Sequence, residues 1–127
     1  MAMINGRRTK ERAGREFVFP IEPGEEIILG TMVAINAANN AVPASAAAGL
    51  LVVGVAWNIS GTDALYVTAR RSCFNFDADG TDTPTLADIG KPVYAVDAET
   101  VATTDTGNRP RAGILLGVDQ DGCWVDF

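Results

Sequence analysis

The chain has 127 residues, 47% hydrophobic but only 7% aromatic, enough for one domain whose modest core is built largely from small side chains. It has no histidine, which excludes Ser-His-Asp and Cys-His nucleophilic machinery in the usual form and most zinc sites. The net charge of −6 is unevenly placed: residues 1–16 hold 5 of the 10 basic groups and net +3, the rest nets −9, and an anionic body disfavours nucleic acid as a partner.

Residues 1–16 read as an extended arm, punctuated by Gly6 and Gly14 and lacking apolar periodicity. Its cations are Arg7, Arg8, Lys10, Arg12 and Arg15. At ~3.3 Å per residue it reaches roughly 50 Å. Such an arm either docks on an acidic partner, ordering as it binds, or is a plain disordered tail. No apolar stretch follows the basic residues, so no secretory signal is read. The longest run of apolar residues and glycine, Ala46 to Trp57, falls short of the ~20 residues of a membrane span. The chain is expected to be soluble, made in the cytoplasm and without a membrane partner.

Phe17-Val18-Phe19-Pro20-Ile21 reads as an apolar anchor or opening strand, with Pro20 and Pro23 suited to an edge. Glu22 to Glu26 form a polar turn. Short strands are predicted at Met32–Asn36, Ala41–Pro43, Leu50–Trp57, Leu65–Phe76, Pro92–Val96, Thr100–Thr103, Ala112–Val118 and Cys123–Phe127, where β-branched and aromatic residues concentrate between Gly, Asn and Asp. Leu65, Val67 and Ala69 alternate with Tyr66, Thr68 and Arg70, the period of a half-buried strand. One helical turn is predicted at Thr85–Ile89, closed by Gly90. The class is all-β: a small barrel or sandwich over 17–127, behind the basic arm.

A weak duplication runs through this body. Val33-Ala34-Ile35-Asn36-Ala37 is similar to Tyr94-Ala95-Val96-Asp97-Ala98, and Leu51-Val52-Val53-Gly54-Val55 to Ile114-Leu115-Leu116-Gly117-Val118, at offsets of 61 and 63. Two such halves are expected to build one barrel of approximate two-fold character, unless the likeness is convergent strand composition.

Chemistry is sparse. There is no phosphate-binding or dinucleotide glycine motif. Asp77, Asp79 and Asp82 around Gly80 are carboxylates of the kind a hard cation takes, but the spacing misses the EF-hand pattern and a solvated Asx-turn loop is the plainer reading. Asp121-Gly122 between apolar strands signals a hairpin. Arg70 and Arg71 beside Phe74 and Phe76 read as strand arginines paired with acidic groups rather than a nucleic-acid surface. Phe74 and Phe76 serve either a core or a subunit interface, and with Arg70, Arg71 and Trp57 they form the candidate interface set. Cys73 and Cys123 read as two half-buried thiols, with a disulfide left open. No cofactor or metal is implied, and the chain does not read as an enzyme.

In order along the chain, Gly30–Asn36 (GTMVAIN), Ala41–Ser45 (AVPAS), Gly49–Ala56 (GLLVVGVA), Val67–Arg71 (VTARR), Phe74–Phe76 (FNF), Gly80–Asp82 (GTD), Ala87–Asp97 (ADIGKPVYAVD), Ala112–Asp119 (AGILLGVD) and Cys123–Phe127 (CWVDF) together resemble the bacteriophage capsid cement, or head-decoration, proteins. The resemblance covers about residues 28–127. It implies a β-rich domain, often of the β-tulip type, that trimerises on the outer capsid surface at three-fold or quasi-three-fold positions and clamps neighbouring major capsid protein subunits. It implies no catalytic residues and no cofactor. The arm lies outside it, so a capsid-binding role for Arg7, Arg8, Lys10, Arg12, Arg15, Phe17 and Phe19 is an expectation from charge and exposure alone. The expected location is the virion exterior, with assembly in the host cytoplasm. The rival readings are a virion-borne sugar- or receptor-binding β-domain using Asn39, Asn40, Trp57 and Asn58, and a hydrolase using Asp77 and Asp79.

Overall fold

The computed structural model describes residue 6 and residues 8–127. Among the described residues there are ten strands: β1 (Glu16–Pro20), β2 (Met32–Ile35), β3 (Ala41–Pro43), β4 (Leu51–Ser60), β5 (Tyr66–Arg70), β6 (Cys73–Ala78), β7 (Pro92–Ala95), β8 (Thr100–Ala102), β9 (Arg111–Asp119) and β10 (Gly122–Asp126), with one 3-10 turn at Leu86–Asp88. The protein is all-β and contains a closed five-stranded barrel.

The stretch expected as one strand, Leu65–Phe76, is two. It breaks at Arg71 and Ser72, where the chain passes from one sheet to the next. Arg71 donates its N–H to the Arg15 carbonyl (2.6 Å), ending the β1–β5 ladder, and the Ser72 carbonyl accepts from Phe127 (3.1 Å), beginning the β6–β10 ladder. Both halves of the stretch alternate apolar and polar, but Arg70, Arg71 and Ser72 are three polar residues in succession and interrupt the period at the break.

The first sheet runs β1-β5-β4-β2-β3, and the second closes as β10-β6-β8-β7-β9. Followed from β6, the second order is β6-β10-β9-β7-β8, the first order with every label advanced by five. The registers agree as well. Val33 faces Gly54 as Val93 faces Gly113, and each β4 or β9 strand then carries a one-residue bulge before its next partner. A second bulge leaves Trp57 unpaired in β4 and Leu116 unpaired in β9. Gly30 donates to Ala56 and Gly90 to Leu115, both at 2.8 Å. The duplication is therefore real in the fold, but its offset is 60 at β2/β7 and 59 at β4/β9, not 61 and 63. Nor do the halves share one barrel: each builds its own five-stranded sheet.

Closure differs between them for a chemical reason. The second barrel is sealed by parallel β6–β8 pairs, Asp77 with Thr100 and Ala78 with Val101, and Asp77 donates to the Glu99 carbonyl (2.9 Å). The first half keeps only the bridge Ile21–Ala41. Pro20 stands where Asp77 stands and has no N–H to give, so the seam between β1 and β3 closes at one end only.

Val33, Ala41, Ala56 and Val67 pack inside the first half with Phe19 and Ile21. The larger cluster fills the second barrel with Phe76, Val93, Leu115, Cys123 and Val125, and also takes in Met32, Ala34 and Val55 from the outer face of the first half. One continuous apolar core thus fixes the halves to each other.

Candidate functional site at the seam of the two halves

Trp57 is the extra residue of the β4 bulge, and an unpaired bulge residue is pushed out of the ladder; it is 48% exposed. Arg70 ends β5 opposite Val55, and its guanidinium lies 4.2 Å over the Trp57 ring. Phe74 comes across from the second half to 6.1 Å from Trp57, and the aromatic row continues through Phe127, 6.3 Å from Phe74 and 5.5 Å from Phe76. Trp57 and Phe74, together with Leu29, Val55 and Asn75, line an open cleft of about 350 Å³.

Two donors at the seam have no acceptor: Arg70 Nε and Asn75 Nδ2 are buried and without a hydrogen-bond partner. An unmet buried donor costs about 1–3 kcal/mol. The expectation that the strand arginines pair with carboxylates fails for Arg70, which spends its charge on the indole face, worth about 0.5–2 kcal/mol. The ion pair found among the described residues is Arg109 with Asp82 (3.1 Å). Chemically, the cleft offers mainly apolar surface, with no titratable side chain among its lining residues.

The other predicted residues scatter. Phe76 leaves the candidate interface set: it is 5% exposed and faces the barrel interior, because the β6 register sets it opposite Cys123. Arg71 is exposed and borders a second cleft, about 310 Å³, with Phe17, Phe19, Leu51, Val52 and Phe127. Phe17 and Phe19 belong to β1 rather than to a free arm. Phe17 faces Ala69, and Phe19 packs on the first-half core. Arg8, Lys10, Arg12 and Arg15 are exposed. The Arg12 guanidinium sits 4.7 Å over the Phe17 ring. Arg7 lies outside the described residues.

The carboxylates are turned to local work. Glu22 accepts from the side-chain amides of Asn36 (3.1 Å) and Asn40 (2.6 Å), which hold its carboxyl below the usual value. Asn40 is thereby occupied by structure rather than presented to a sugar. Asp79 accepts from the backbone of Asp82 (2.8 Å) and Thr81 (3.3 Å), and its carboxyl is lowered, chiefly by the Asp82 N–H. Asp119 accepts from Trp124 Nε1 (2.9 Å) at the β9–β10 hairpin. Among the described residues no three His, Cys, Asp or Glu gather as a metal-binding group. Cys73 is exposed and Cys123 buried, and both are free thiols.

Sequence reasoning missed Leu29 and Asn75. A signal for them existed: Phe17-Val18-Phe19 and Phe74-Asn75-Phe76 are 57 residues apart and mark the same strand in each half, and aligning them gives the faces of β6. No family model, no curated protein and no solved structure matches the chain.

Proposed function

We propose that the chain is a structural protein of a bacteriophage virion that binds the outer capsid surface and braces contacts between major capsid protein subunits. It does so as a trimer at three-fold or quasi-three-fold positions, with adhesion as its output and without catalysis or a cofactor. The observation that carries this reading is the division of charge: Arg8, Lys10, Arg12 and Arg15 are all exposed at the head of a body that nets −9. A cationic lead is drawn to an acidic shell, while the anionic bodies are repelled by packaged DNA. The seam cleft adds a second foothold. Its apolar walls, with Trp57 48% exposed, suit an apolar side chain of a partner segment. Contacts made by several linked copies gain by avidity.

The test is co-sedimentation with expanded heads of the phage that encodes the chain. The deletion is best confined to residues 2–13, because the Arg15 carbonyl holds the β1–β5 ladder. Loss of the arm is expected to cut occupancy tenfold or more, about 1.4 kcal/mol per decade, and added salt to weaken the intact protein in the same direction. Equal occupancy with and without residues 2–13 would refute the arm's role.

A further inference from the structure

Equivalent surfaces of the two halves meet different fates. The outer face of the first half is covered by the second: Met32 and Ala34 are 0% exposed and Val55 is 2%. Met32 donates its N–H to the Ala98 carbonyl (2.8 Å), and Phe74 and Asn75 of β6 wall the cleft over Val55 and Trp57. The registers place Pro92, Tyr94 and Ile114 at the matching positions of the second half, with Leu116 for Trp57 and Ile89 for Leu29. Among the described residues these are not covered in the same way. Pro92, Tyr94 and Ile114 are half-buried, and Ile89 and Leu116 are 46% and 49% exposed. The second half therefore carries a socket that the chain does not fill.

The first half carries the matching plug. Phe74 and Asn75 of β6 correspond to Phe17 and Val18 of β1, since Phe17 faces Ala69 as Phe74 faces Val125. Phe17 is half-buried and Val18 is 58% exposed. Charge supports the fit. Asp126 faces Ile114 as Arg70 faces Val55, so the socket bears a carboxylate where the internal seam bears a guanidinium. The plug brings Arg12, held 4.7 Å over Phe17.

We propose that copies of this chain associate head to tail, β1 of one copy seating Phe17 and Val18 on Ile89, Ile114 and Leu116 of the next. Asp126 then meets Arg12 of the neighbouring copy. The contact repeats between chains the packing that joins the halves within one, and its two surfaces differ, so it is heterologous and closes as a ring when the rotation permits. It deepens the self-association in the reading above, from which only the ring of three is taken. It does not depend on capsid binding.

Sedimentation velocity of the full chain over a concentration series tests it without shells. The intact chain is expected to run as an assembly. Val18→Asp and Leu116→Asp, both at exposed sites, are expected to run as folded monomers that melt in a single cooperative transition whose midpoint no longer depends on concentration. An equimolar mixture of the two variants is expected to stop at dimers, since each copy keeps one sound surface. Asp126→Arg is expected to weaken association about fivefold, and adding Arg12→Asp to restore it. An intact chain that stays monomeric, variants that assemble like the intact chain, or a mixture that remains monomeric overturns the proposal. A chain that assembles this way yet ignores shells overturns the capsid reading alone. A chain that coats shells while Leu116→Asp leaves its mass unchanged overturns the head-to-tail contact alone.

Discussion

Glu22 shows how single residues carry the surface of this fold. Its carboxylate gathers the amides of Asn36 and Asn40, the Asn36 side chain also accepts from the backbone of Ala38 and Asn40 (both 3.0 Å), and so one acid fixes the turn between β2 and β3. Because its carboxyl is held below its unfolded value, the stability it adds is complete at neutral pH. That stability is lost as pH falls through the lowered folded value. Asp79 follows the same sign. Urea unfolding midpoints are expected to be flat near neutrality and to fall in acid, with a shallower fall for Glu22→Gln than for the intact chain. Identical acid profiles would contradict this account. The Asp79 turn was legible as Asx-turn chemistry, but the Glu22 pairings were not: Glu22 is 14 residues from Asn36, and the Ile21–Ala41 bridge beside it brings the two together.

Between residue and molecule, the bulges set the shape of each half. Gly54 has φ +152° and its missing Cβ would lie 2.7 Å from the Arg70 carbonyl oxygen, and a Cβ on Gly113 would strike the Asp126 carbonyl oxygen. At both bulges β4 or β9 passes too close to its neighbour for any side chain. Gly113→Ala is expected to cost more than about 2 kcal/mol, read as a lower denaturation midpoint. Gly80→Ala, which meets open space, is expected to stay within about 0.5 kcal/mol. A Gly113→Ala protein as stable as the Gly80→Ala control would contradict the close approach. The strands themselves were largely legible from β-branched and aromatic runs. Their bulges were not, because an extra residue leaves no trace in composition. The break at Arg71 did leave a mark, the polar run Arg70-Arg71-Ser72, which a reading of Leu65–Phe76 as one strand passes over.

Across the whole molecule, the sequence carried the duplication in blurred form. Matching VAINA to YAVDA slides one residue from the true register, since the fold equates Val33 with Val93. Similar apolar runs align nearly as well one step over. The expectation of a single shared barrel failed because each half contains its own closing strand, β1 or β6, and the Phe-X-Phe of both went unread as a pair. Pro20 then leaves the first half open at one end, next to the arm that the charge pattern had already set apart. The seam between the halves gathers Trp57, Arg70 and Phe74 from the predicted set, while Phe76, on the same face of β6 as Phe74, lies deeper in the barrel opposite Cys123. On the proposed reading, a molecule so arranged adheres through three places: the basic arm, the seam cleft and the uncovered face of its second half.

The most direct test of the proposed capsid role is electron cryomicroscopy of expanded heads of the phage that this reading takes to encode the chain, incubated with saturating purified protein. Density for the two-sheet body is expected on the outer surface, in groups at three-fold or quasi-three-fold positions, with the arm leading onto the shell. Bare shells at saturation, or density confined to the inner surface, would contradict the account.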